Sequence, residues 1–565
     1  MKSKAATLPD FMKNVVWIFF AIIIGYLLIS SIFSTCHIGR LEYLVDSGAT
    51  EINSEHTFYI RDSYFVHFIV FLLCSVFLFI FGKKESKIIP HRYIGMAMLF
   101  ISALLCFYVI YAGQYYPKYD QASVIEAAAA FNTGDYSVLE WGSYIFKYPH
   151  QFGVTCFYMM LSKIFGNLNI IAFQIVNGIC ILLSYYLLAK IAKLLTHGKE
   201  WSDTATLIIC AVFLPYIFYV TYLYGTVVGF CLAILSFYHM LLFKEKCKWI
   251  YMFSSSLCMM LAAILKSNYM VFMIAMLIYL VGNAMVDFKA DRKTAYRSLI
   301  FVIAILVFSF AGKWGINRYL TALNNGEQIR GIPMITYITM GLQDGKTAAG
   351  WYNGYNNTVY EQNMYDYAKT ADAAKADLVK IIKKYPEDMS ASISFFIKKV
   401  TSQWNNPTFQ SLWILEERSG KNGLEWFMQG NARYIYIIFV NLLQTWILAG
   451  TALYTLLRIK KNTWQEILLP LAFIGGFLFH TFWEAQSVYA MPYFLLLLPL
   501  CVWGYAEWGE FLVQRRFNRK RMLAAAMIVV LICAASYTDG FCKLFARNDD
   551  TGVFDTYTQE TVVQE

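Results

Sequence analysis

Six ionisable side chains stand out in an otherwise apolar sequence because each lies near the end of a long apolar stretch. They are Asp120, Lys147, His150, Lys266, His480 and Glu484. A carboxylate can remove a proton from a hydroxyl group, and a lysine can stabilise negative charge that develops on a phosphate. A charged group at membrane depth costs about 2.5–3.5 kcal/mol on insertion scales, so such groups usually line a cavity. We therefore predict that the six side chains converge on one site at the outer face of a membrane.

Each of these side chains also has a purely structural explanation. Asp120 could be a solvated loop carboxylate, and Lys266 could extend to the lipid headgroups without a specific ligand. His480 could be satisfied within the helix bundle, and Glu484 could pair with a neighbouring cation. His150 could be a polar residue at a helix N-terminus. The shared position of all six residues therefore supports a site better than any one of them does.

The composition indicates a polytopic membrane protein. Of the 565 residues, 58% are hydrophobic and only 15% are charged, whereas soluble chains carry about 25% charged residues. Many apolar runs reach the roughly 20 residues that cross about 30 Å of hydrocarbon. We predict an all-α polytopic protein with about 13 transmembrane helices, at 14–34, 63–82, 93–113, 168–189, 204–221, 224–242, 250–266, 270–287, 299–314, 435–457, 465–481, 489–506 and 522–538.

The distribution of basic residues predicts the orientation of these helices. One set of connecting segments holds 25 Lys and Arg in 77 residues. It comprises 1–13, 83–92, 190–203, 243–249, 288–298, 458–464 and 507–521. The short segments of the opposite set hold 7 in 121 residues. Because basic loops stay in the cytoplasm, the N-terminus is expected inside and the C-terminus outside.

This orientation places two large polar segments outside, 114–167 and 315–434. Within the first, the run 151–166 is too short to span, and we predict a helix along the membrane surface. In the second, apolar spacing predicts one helix over 360–384 and another that ends at Trp404, before Asn406 and Pro407.

These positions divide the chain into five parts. They are an N-terminal membrane hairpin (1–92), a transmembrane core (93–314) with its outer loop 114–167, an extracytoplasmic subdomain (315–434), C-terminal membrane helices (435–538) and an outer tail (539–565).

The sequence gives little support to nucleic-acid binding, to a zinc or disulfide framework, or to a cleaved signal peptide. The net charge of +10 does not indicate nucleic-acid binding, because the basic residues lie in short loops between spans. The twelve cysteines are scattered without a CxxC pair, so we predict neither a zinc site nor a disulfide framework. The first apolar run is too long for the core of a signal peptide, which favours a retained membrane anchor.

The mixture of groups suits chemistry on a phosphorylated lipid. The lipid would present its phosphate to the cations, and a carboxylate would remove the acceptor proton as a sugar is transferred to a hydroxyl. Tyrosines and tryptophans in 114–150 and 351–360 suit stacking on sugar rings, although anchoring at the membrane interface explains many of them.

Short motifs follow one another in a specific order along 93–506. They are Asp120-Gln121, Gly134-Asp135, Lys147-Tyr148-Pro149, Phe165-Gly166, Leu265-Lys266-Ser267 and the stretch from Glu484 through Tyr489 to Pro492. In this order the chain resembles the GT-C class of integral-membrane glycosyltransferases. The resemblance is closest to the bacterial branch related to protein mannosyltransferases and aminoarabinose transferases.

This resemblance implies a GT-C-like fold and a polyprenyl-phosphate-linked sugar donor at the outer face of a bacterial plasma membrane. The acceptor would be a cell-surface glycan, lipid or protein. Asp120 would be the catalytic base of an inverting transfer, and Lys266 would contact the lipid phosphate together with Lys147. His150, His480, Glu484 and Tyr489 would line the substrate site.

The chain departs from the family pattern at three places. Gln121 replaces the usual glutamate, and Val488 replaces the usual arginine before Tyr489. The segment "TYLYGTVVG" lacks the second acidic residue that many members carry after the next outward span. We therefore predict that no metal or other cofactor takes part.

Two other functions remain open. A lipid-linked-sugar transporter or flippase would need polar groups and broken helices at the bilayer midplane, where the predicted spans carry few polar groups. A polysaccharide polymerase or ligase would use an oligosaccharide donor. Within the outer subdomain, Arg330, Trp351 and Trp404 are candidates for selecting the sugar or the acceptor.

Overall fold

The computed structural model describes residues 8–40, 55–61, 64–81, 91–288, 291–345, 347–416, 423–428 and 431–514. Helices dominate these residues, which form an all-α polytopic membrane protein, and the one sheet among them is a two-stranded hairpin. The predicted span 522–538 and the tail 539–565 lie outside the described residues.

The N-terminal part contains two helices joined by the hairpin, and the predicted span 14–34 corresponds to the first of them, which is long and apolar enough to cross a membrane. These elements are α1 (Leu8–Phe33), β1 (Ser34–Arg40), β2 (Glu55–Arg61) and α2 (Tyr64–Phe81). The antiparallel hairpin pairs Ser34 with Arg61 and Arg40 with Glu55. Its Cys36 N–H donates to Asn405 O at 2.9 Å, which ties the hairpin to the outer subdomain. The sequence analysis missed this hairpin because its strands are short and lie between two strongly apolar runs.

The central part is a bundle of apolar helices with three short helices in its first outer loop. In chain order it comprises α3 (His91–Gly113), α4 (Asp120–Thr133), α5 (Tyr144–Lys147), α6 (Phe152–Phe165), α7 (Ile170–Leu195), α8 (Glu200–Val212), α9 (Leu214–Phe218), α10 (Thr226–Lys246), α11 (Trp249–Leu265), α12 (Met270–Asp287) and α13 (Arg292–Leu323). At about 1.5 Å per residue, the 14 residues of α6 are too short to cross a bilayer. This length agrees with the predicted surface helix.

The outer subdomain and the remaining membrane helices complete the described chain. They are α14 (Met334–Gly341), α15 (Tyr355–Gln362), α16 (Tyr367–Lys384), α17 (Met389–Trp404), α18 (Ser411–Glu416), α19 (Glu425–Met428), α20 (Asn431–Arg458), α21 (Leu468–Phe482), α22 (Ser487–Phe494) and α23 (Leu497–Gln514). The predicted helix end at Trp404 is confirmed. The predicted helix over 360–384 is divided, because the Asp366 carboxylate caps a new helix through the Lys369 N–H at 2.9 Å.

The described residues contain fewer candidate membrane-spanning helices than were predicted for the whole chain. The described residues contain eight helices that are long and apolar enough to cross a membrane, or ten if each of two bent pairs is one span. The predicted spans 63–82 and 250–266 correspond to the apolar stretches Phe65–Val76 and Trp249–Leu265, which are shorter than the eight candidate spans. The prediction of thirteen spans is therefore not confirmed.

Two of the predicted continuous spans are broken. The chain bends by 62° between Trp201–Val212 and Leu214–Thr221, and by 49° between Ser487–Phe494 and Leu497–Gln514. A proline follows the first break, at Pro215, and another lies inside α22, at Pro492. Because proline lacks the N–H that continues a helix, both bends have a local cause.

Among the described residues, several of the basic connections lie at one end of the helix bundle. Lys13 Nζ donates to Asn462 O at 3.2 Å, and Lys199 approaches Glu510 at 3.7 Å, so residues from four connections or helix ends meet there. Arg458 adds a bidentate ion pair with Glu466 at this end. The opposite ends of the same helices carry the outer loop, the outer subdomain and the cavity described next.

Candidate functional site

A cavity of about 470 Å³ opens at the end of the bundle opposite the basic connections. Five of the seven predicted site residues line it, namely Asp120, His150, Lys266, Glu484 and Tyr489. They come from the first outer loop, the α11–α12 connection and the segment after α21, far apart in the sequence. The wall also includes Lys118, Tyr119, Gln121, Tyr144, Tyr148, Gln151, Tyr222, Tyr224, Ser267, Asn268, Tyr337, Thr347, Trp351, Tyr352, Asn356, Trp413, Ile414, Trp483 and Gln486.

Asp120 is the first residue of α4 and is solvent-accessible through the cavity. The preceding residue, Tyr119, has φ of 52° and a side chain that is 67% exposed. A positive φ is unfavourable for a bulky residue and is seen where surrounding structure enforces it. Enclosure by the cavity wall raises the pKa of Asp120, and a hydrogen bond from Tyr224 opposes this shift.

Tyr224 lies beside Asp120 in the short connection before α10. Its hydroxyl donates to Asp120 Oδ2 at 3.1 Å, and the Tyr144 hydroxyl and Gln151 Nε2 each lie 2.8 Å from the Tyr224 oxygen. Lys266 Nζ sits 3.6 Å from the centroid of the Tyr224 ring, within the range of a cation–π interaction. Tyr224 therefore touches both the candidate base and the candidate phosphate ligand.

Lys266 lies between α11 and α12 and is 9% exposed. Two glycines let other segments approach the end of α11. A Cβ at Gly153 would lie 2.1 Å from Ile264 O, and a Cβ at Gly225 would lie 2.8 Å from Leu265 O. Close backbone packing therefore brings α6 and the Tyr224 connection against the segment that carries Lys266.

Glu484 lies in the connection between α21 and α22 and is 6% exposed. Its Oε1 accepts a hydrogen bond from Gln486 Nε2 at 3.3 Å. Burial raises the pKa of the Glu484 carboxyl to about 8, and the negative charge of Asp120 acts in the same direction. We therefore expect Glu484 to hold a proton more often than Asp120 does near neutral pH.

Contacts from the outer subdomain hold the connection that carries Glu484. Ala485 N–H donates to Gly350 O at 2.8 Å, and the fully buried Lys399 donates to Trp483 O at 2.8 Å and to Gly341 O. Burial lowers the pKa of Lys399 to about 7. The outer subdomain is therefore part of the cavity wall.

Two of the predicted site residues lie outside the cavity wall. Lys147 forms an ion pair with Glu361 at 2.7 Å. His480 is fully buried and stacks on Tyr489, with ring centroids 5.6 Å apart. Neither ring nitrogen of His480 has a hydrogen-bond partner among the described residues. His480 thus supports the ring of Tyr489 from behind the cavity.

The three candidates of the outer subdomain have different positions. Trp351 lines the cavity, is 2% exposed and donates through Nε1 to Ser402 Oγ at 2.8 Å. Trp404 packs in the core against Phe473 and Phe477. Arg330 lies over the ring of Tyr367 and is absent from the cavity wall. Only Trp351 can therefore contact a molecule in the cavity.

Sequence reasoning missed Tyr224, Tyr144 and Gln151, which surround the candidate base. The tyrosines of 114–150 were noted only as a group. The segment "TYLYGTVVG" was noted only for its missing carboxylate, although its pairing of tyrosine and glycine was visible. A tyrosine at a helix end is common, and only its contacts distinguish Tyr224 from an interfacial anchor.

Gln121 has a structural role beside Asp120. Its Oε1 accepts a hydrogen bond from the Leu223 N–H at 2.8 Å, and its side chain is 7% exposed. A neutral amide makes this contact without burying a negative charge, which is costly unless compensated. Gln121 therefore connects the start of α4 to the Tyr224 segment.

Comparisons with known proteins add no assignment. The chain matches no protein-family model, and no curated protein is significantly similar to it. Among the described residues, no three His, Cys, Asp or Glu side chains come together as a metal-binding group. The absence of a metal requirement stays a prediction.

Proposed function

We propose that the protein is an inverting membrane glycosyltransferase that uses a sugar linked to a polyprenyl phosphate. The observation that supports this proposal best is the position of Asp120 and Lys266 in one cavity, bridged by Tyr224. A proton acceptor and a cation at adjacent positions suit a reaction that deprotonates a hydroxyl and releases a phosphate. The acceptor would be a cell-surface glycan, lipid or protein.

The reaction would proceed by direct displacement at the anomeric carbon. The acceptor oxygen forms a bond to that carbon as the bond to the phosphate oxygen breaks. Asp120 takes the acceptor proton, and the polyprenyl phosphate leaves with the bonding electron pair. Lys266 stabilises the charge on the departing phosphate, while Glu484, largely protonated, can donate a hydrogen bond to a sugar hydroxyl.

The finer features of this proposal concern fold and location. We propose a GT-C-like fold of about 13 spans, with the cavity on the outer side of a bacterial plasma membrane. That number is supported by the eight candidate spans, the two bent pairs, the two shorter apolar helices Phe65–Val76 and Trp249–Leu265, and the apolar run 522–538, which together make thirteen. The position of the cavity at the end opposite the basic connections supports the outer location.

The first test replaces the candidate base. We expect Asp120→Asn to abolish sugar transfer while the protein remains folded, because the amide cannot accept the acceptor proton. Transfer would be measured with purified protein and a radiolabelled polyprenyl-phosphate sugar. The donor is chosen from the sugar that is missing from surface glycans of a deletion strain. Asp372→Asn, an exposed change on α16, is the matched control. Normal transfer by Asp120→Asn would contradict the proposal.

A transporter or flippase is the second candidate, and the two bent spans favour it. Broken helices at membrane depth are typical of transporters, where they line a substrate pathway. In vesicles containing the protein and a lipid-linked sugar, movement of the lipid between leaflets without transfer would support this function. Products of several sugar units would instead indicate a polymerase or ligase.

A further inference from the structure

We propose that Tyr224 is a positioning residue that holds the Asp120 carboxylate and the Lys266 ammonium at fixed positions relative to each other. This inference rests on the proposed glycosyl transfer. Tyr224 lies in the segment "TYLYGTVVG", which contains no acidic residue, and the inference gives this tyrosine a role in the site. Tyr224 contacts neither reacting atom in this scheme and acts through the two residues that do.

The hydrogen bonds around Tyr224 define the direction in which its proton points. Gln151 Nε2 can only donate, so it donates to the Tyr224 oxygen at 2.8 Å. Asp120 Oδ2, as an ionised carboxylate, can only accept, so Tyr224 donates to it at 3.1 Å. The single proton of Tyr224 is then used, and Tyr144 must donate to Tyr224 at 2.8 Å. With Asp120 ionised, each donor in this network therefore has an acceptor.

The aromatic ring of Tyr224 holds the Lys266 ammonium in place. Lys266 Nζ lies 3.6 Å from the Tyr224 centroid, whereas the next aromatic ring, Tyr489, is 5.9 Å away. An ammonium over the face of a tyrosine is attracted by the negative charge of the π-system. Hydroxyl and ring therefore fix two different catalytic groups from one side chain.

The backbone that carries Tyr224 is itself held on both sides. Asn177 Nδ2 donates to Tyr222 O at 3.0 Å, and Leu223 N–H donates to Gln121 Oε1 at 2.8 Å. Gly225 has φ of 77° and packs against Leu265 O. These contacts hold the tyrosine rigidly, as a positioning role requires.

The removal of the Tyr224 hydroxyl should change the pH dependence of transfer. The hydrogen bond from Tyr224 favours the ionised form of Asp120 and lowers its pKa, so its loss raises that pKa. The other ionisable groups that act on Asp120 or respond to its charge are Lys266, Glu484, Tyr144, Tyr148, Tyr337, Tyr352 and Tyr489. All of them remain in the variant.

The experiment compares Tyr224→Phe with Tyr224→Leu in the intact protein. We expect Tyr224→Phe to lower kcat by about 10–100-fold, the range for a lost hydrogen bond to a charged group. The acidic limb of kcat/KM should move to higher pH, with KM for the donor little changed, because the ring still seats Lys266. Tyr224→Leu should in addition raise KM for the donor.

Controls separate this inference from the proposed function and from simple loss of fold. Tyr505→Phe removes the hydroxyl of another buried tyrosine, which donates to Trp446 O at 3.0 Å and is absent from the cavity wall, and should keep the wild-type profile. Tyr144→Phe removes one donor to Tyr224 and should shift the acidic limb in the same direction by a smaller amount. It also serves as the test if Tyr224→Phe does not fold.

An unshifted acidic limb in the folded variant that is measured would overturn the role of Tyr224. If Asp120→Asn is nevertheless inactive, the proposed function would stand without a positioning role for Tyr224. If Asp120→Asn is active, the proposed function itself is contradicted.

Discussion

Two carboxylates face the same cavity but differ in their surroundings. Asp120 is solvent-accessible and accepts a hydrogen bond from Tyr224, whereas Glu484 is 6% exposed and has a pKa raised to about 8. Pairs of acids whose environments separate their pKa values commonly divide the roles of base and proton donor. In the proposed transfer, this difference suits Asp120 to the role of base and Glu484 to that of a hydrogen-bond donor.

The raised pKa of Glu484 predicts a pH-dependent loss of stability. The ordinary pKa is 4.5 and the folded value about 8, so between these values the folded state binds more protons than the unfolded state. Stability should fall as pH rises through this window, by at most about 1.4 kcal/mol per pH unit from this group.

Thermal unfolding in detergent at several pH values should show this fall for the wild-type protein. We expect a smaller fall for Glu484→Gln, which keeps the shape without the titration. An identical pH dependence in both proteins would contradict the assigned environment of Glu484.

At the scale of elements, the site depends on connections that approach one another closely. Gly225 precedes α10 and lies against Leu265 O, and Gly153, the second residue of α6, lies against Ile264 O. Lys399 of α17 holds the connection that carries Glu484. Each contact joins a different element to the cavity wall. The side chains proposed to act in catalysis are thus positioned by backbone packing more than by long flexible side chains.

The close approach at Gly225 can be tested with a matched pair of glycines. Gly225 and Gly134 have similar φ, 77° and 80°, but a Cβ would lie 2.8 Å from Leu265 O at Gly225 and within 4 Å of nothing at Gly134. Alanine at either position has the same backbone strain, about 1 kcal/mol.

We therefore expect Gly225→Ala to lower stability more than Gly134→Ala and to lower transfer activity as well, because it displaces Lys266 from Tyr224. Unfolding midpoints and kcat of the two variants provide the comparison. Equal effects of the two substitutions would contradict the proposed close contact.

At the scale of the whole molecule, the basic connections and the cavity lie at opposite ends of the helix bundle. The predicted orientation then places α16 outside and the α20–α21 connection inside. We expect Ala376→Cys on α16 to react with a membrane-impermeant thiol reagent in intact cells, and Lys460→Cys to react only after lysis.

Both positions are exposed, so the difference reports membrane sidedness and not burial. The wild-type protein, with its ten buried or partly buried described cysteines, provides the background. Labelling of Lys460→Cys in intact cells, with Ala376→Cys protected, would reverse the orientation.

The sequence predicted the helical elements well but not their continuity or span count. Apolar length identified α1, α3, α7, α10 and α20, because crossing a bilayer requires a local run of apolar residues. It did not show the breaks at Phe213 and near Leu495, because a proline in an apolar run can either end a helix or bend it. Which of the two happens depends on how the helix packs against its neighbours, whereas the 17-residue length of α11 agrees with the predicted span 250–266.

The sequence by itself determined the class of molecule and predicted the side of the membrane on which the site lies, since apolar length and charge bias are local properties of the chain. Motif order also pointed to Asp120, Lys266 and Glu484. Only the tertiary structure decided that these groups share one cavity, that Tyr224 joins two of them, and that Lys147 and His480 lie outside its wall. The reason is that these contacts join residues distant in sequence, 104 positions apart for Tyr224 and Asp120 and 42 for Tyr224 and Lys266, and packing alone determines such distances.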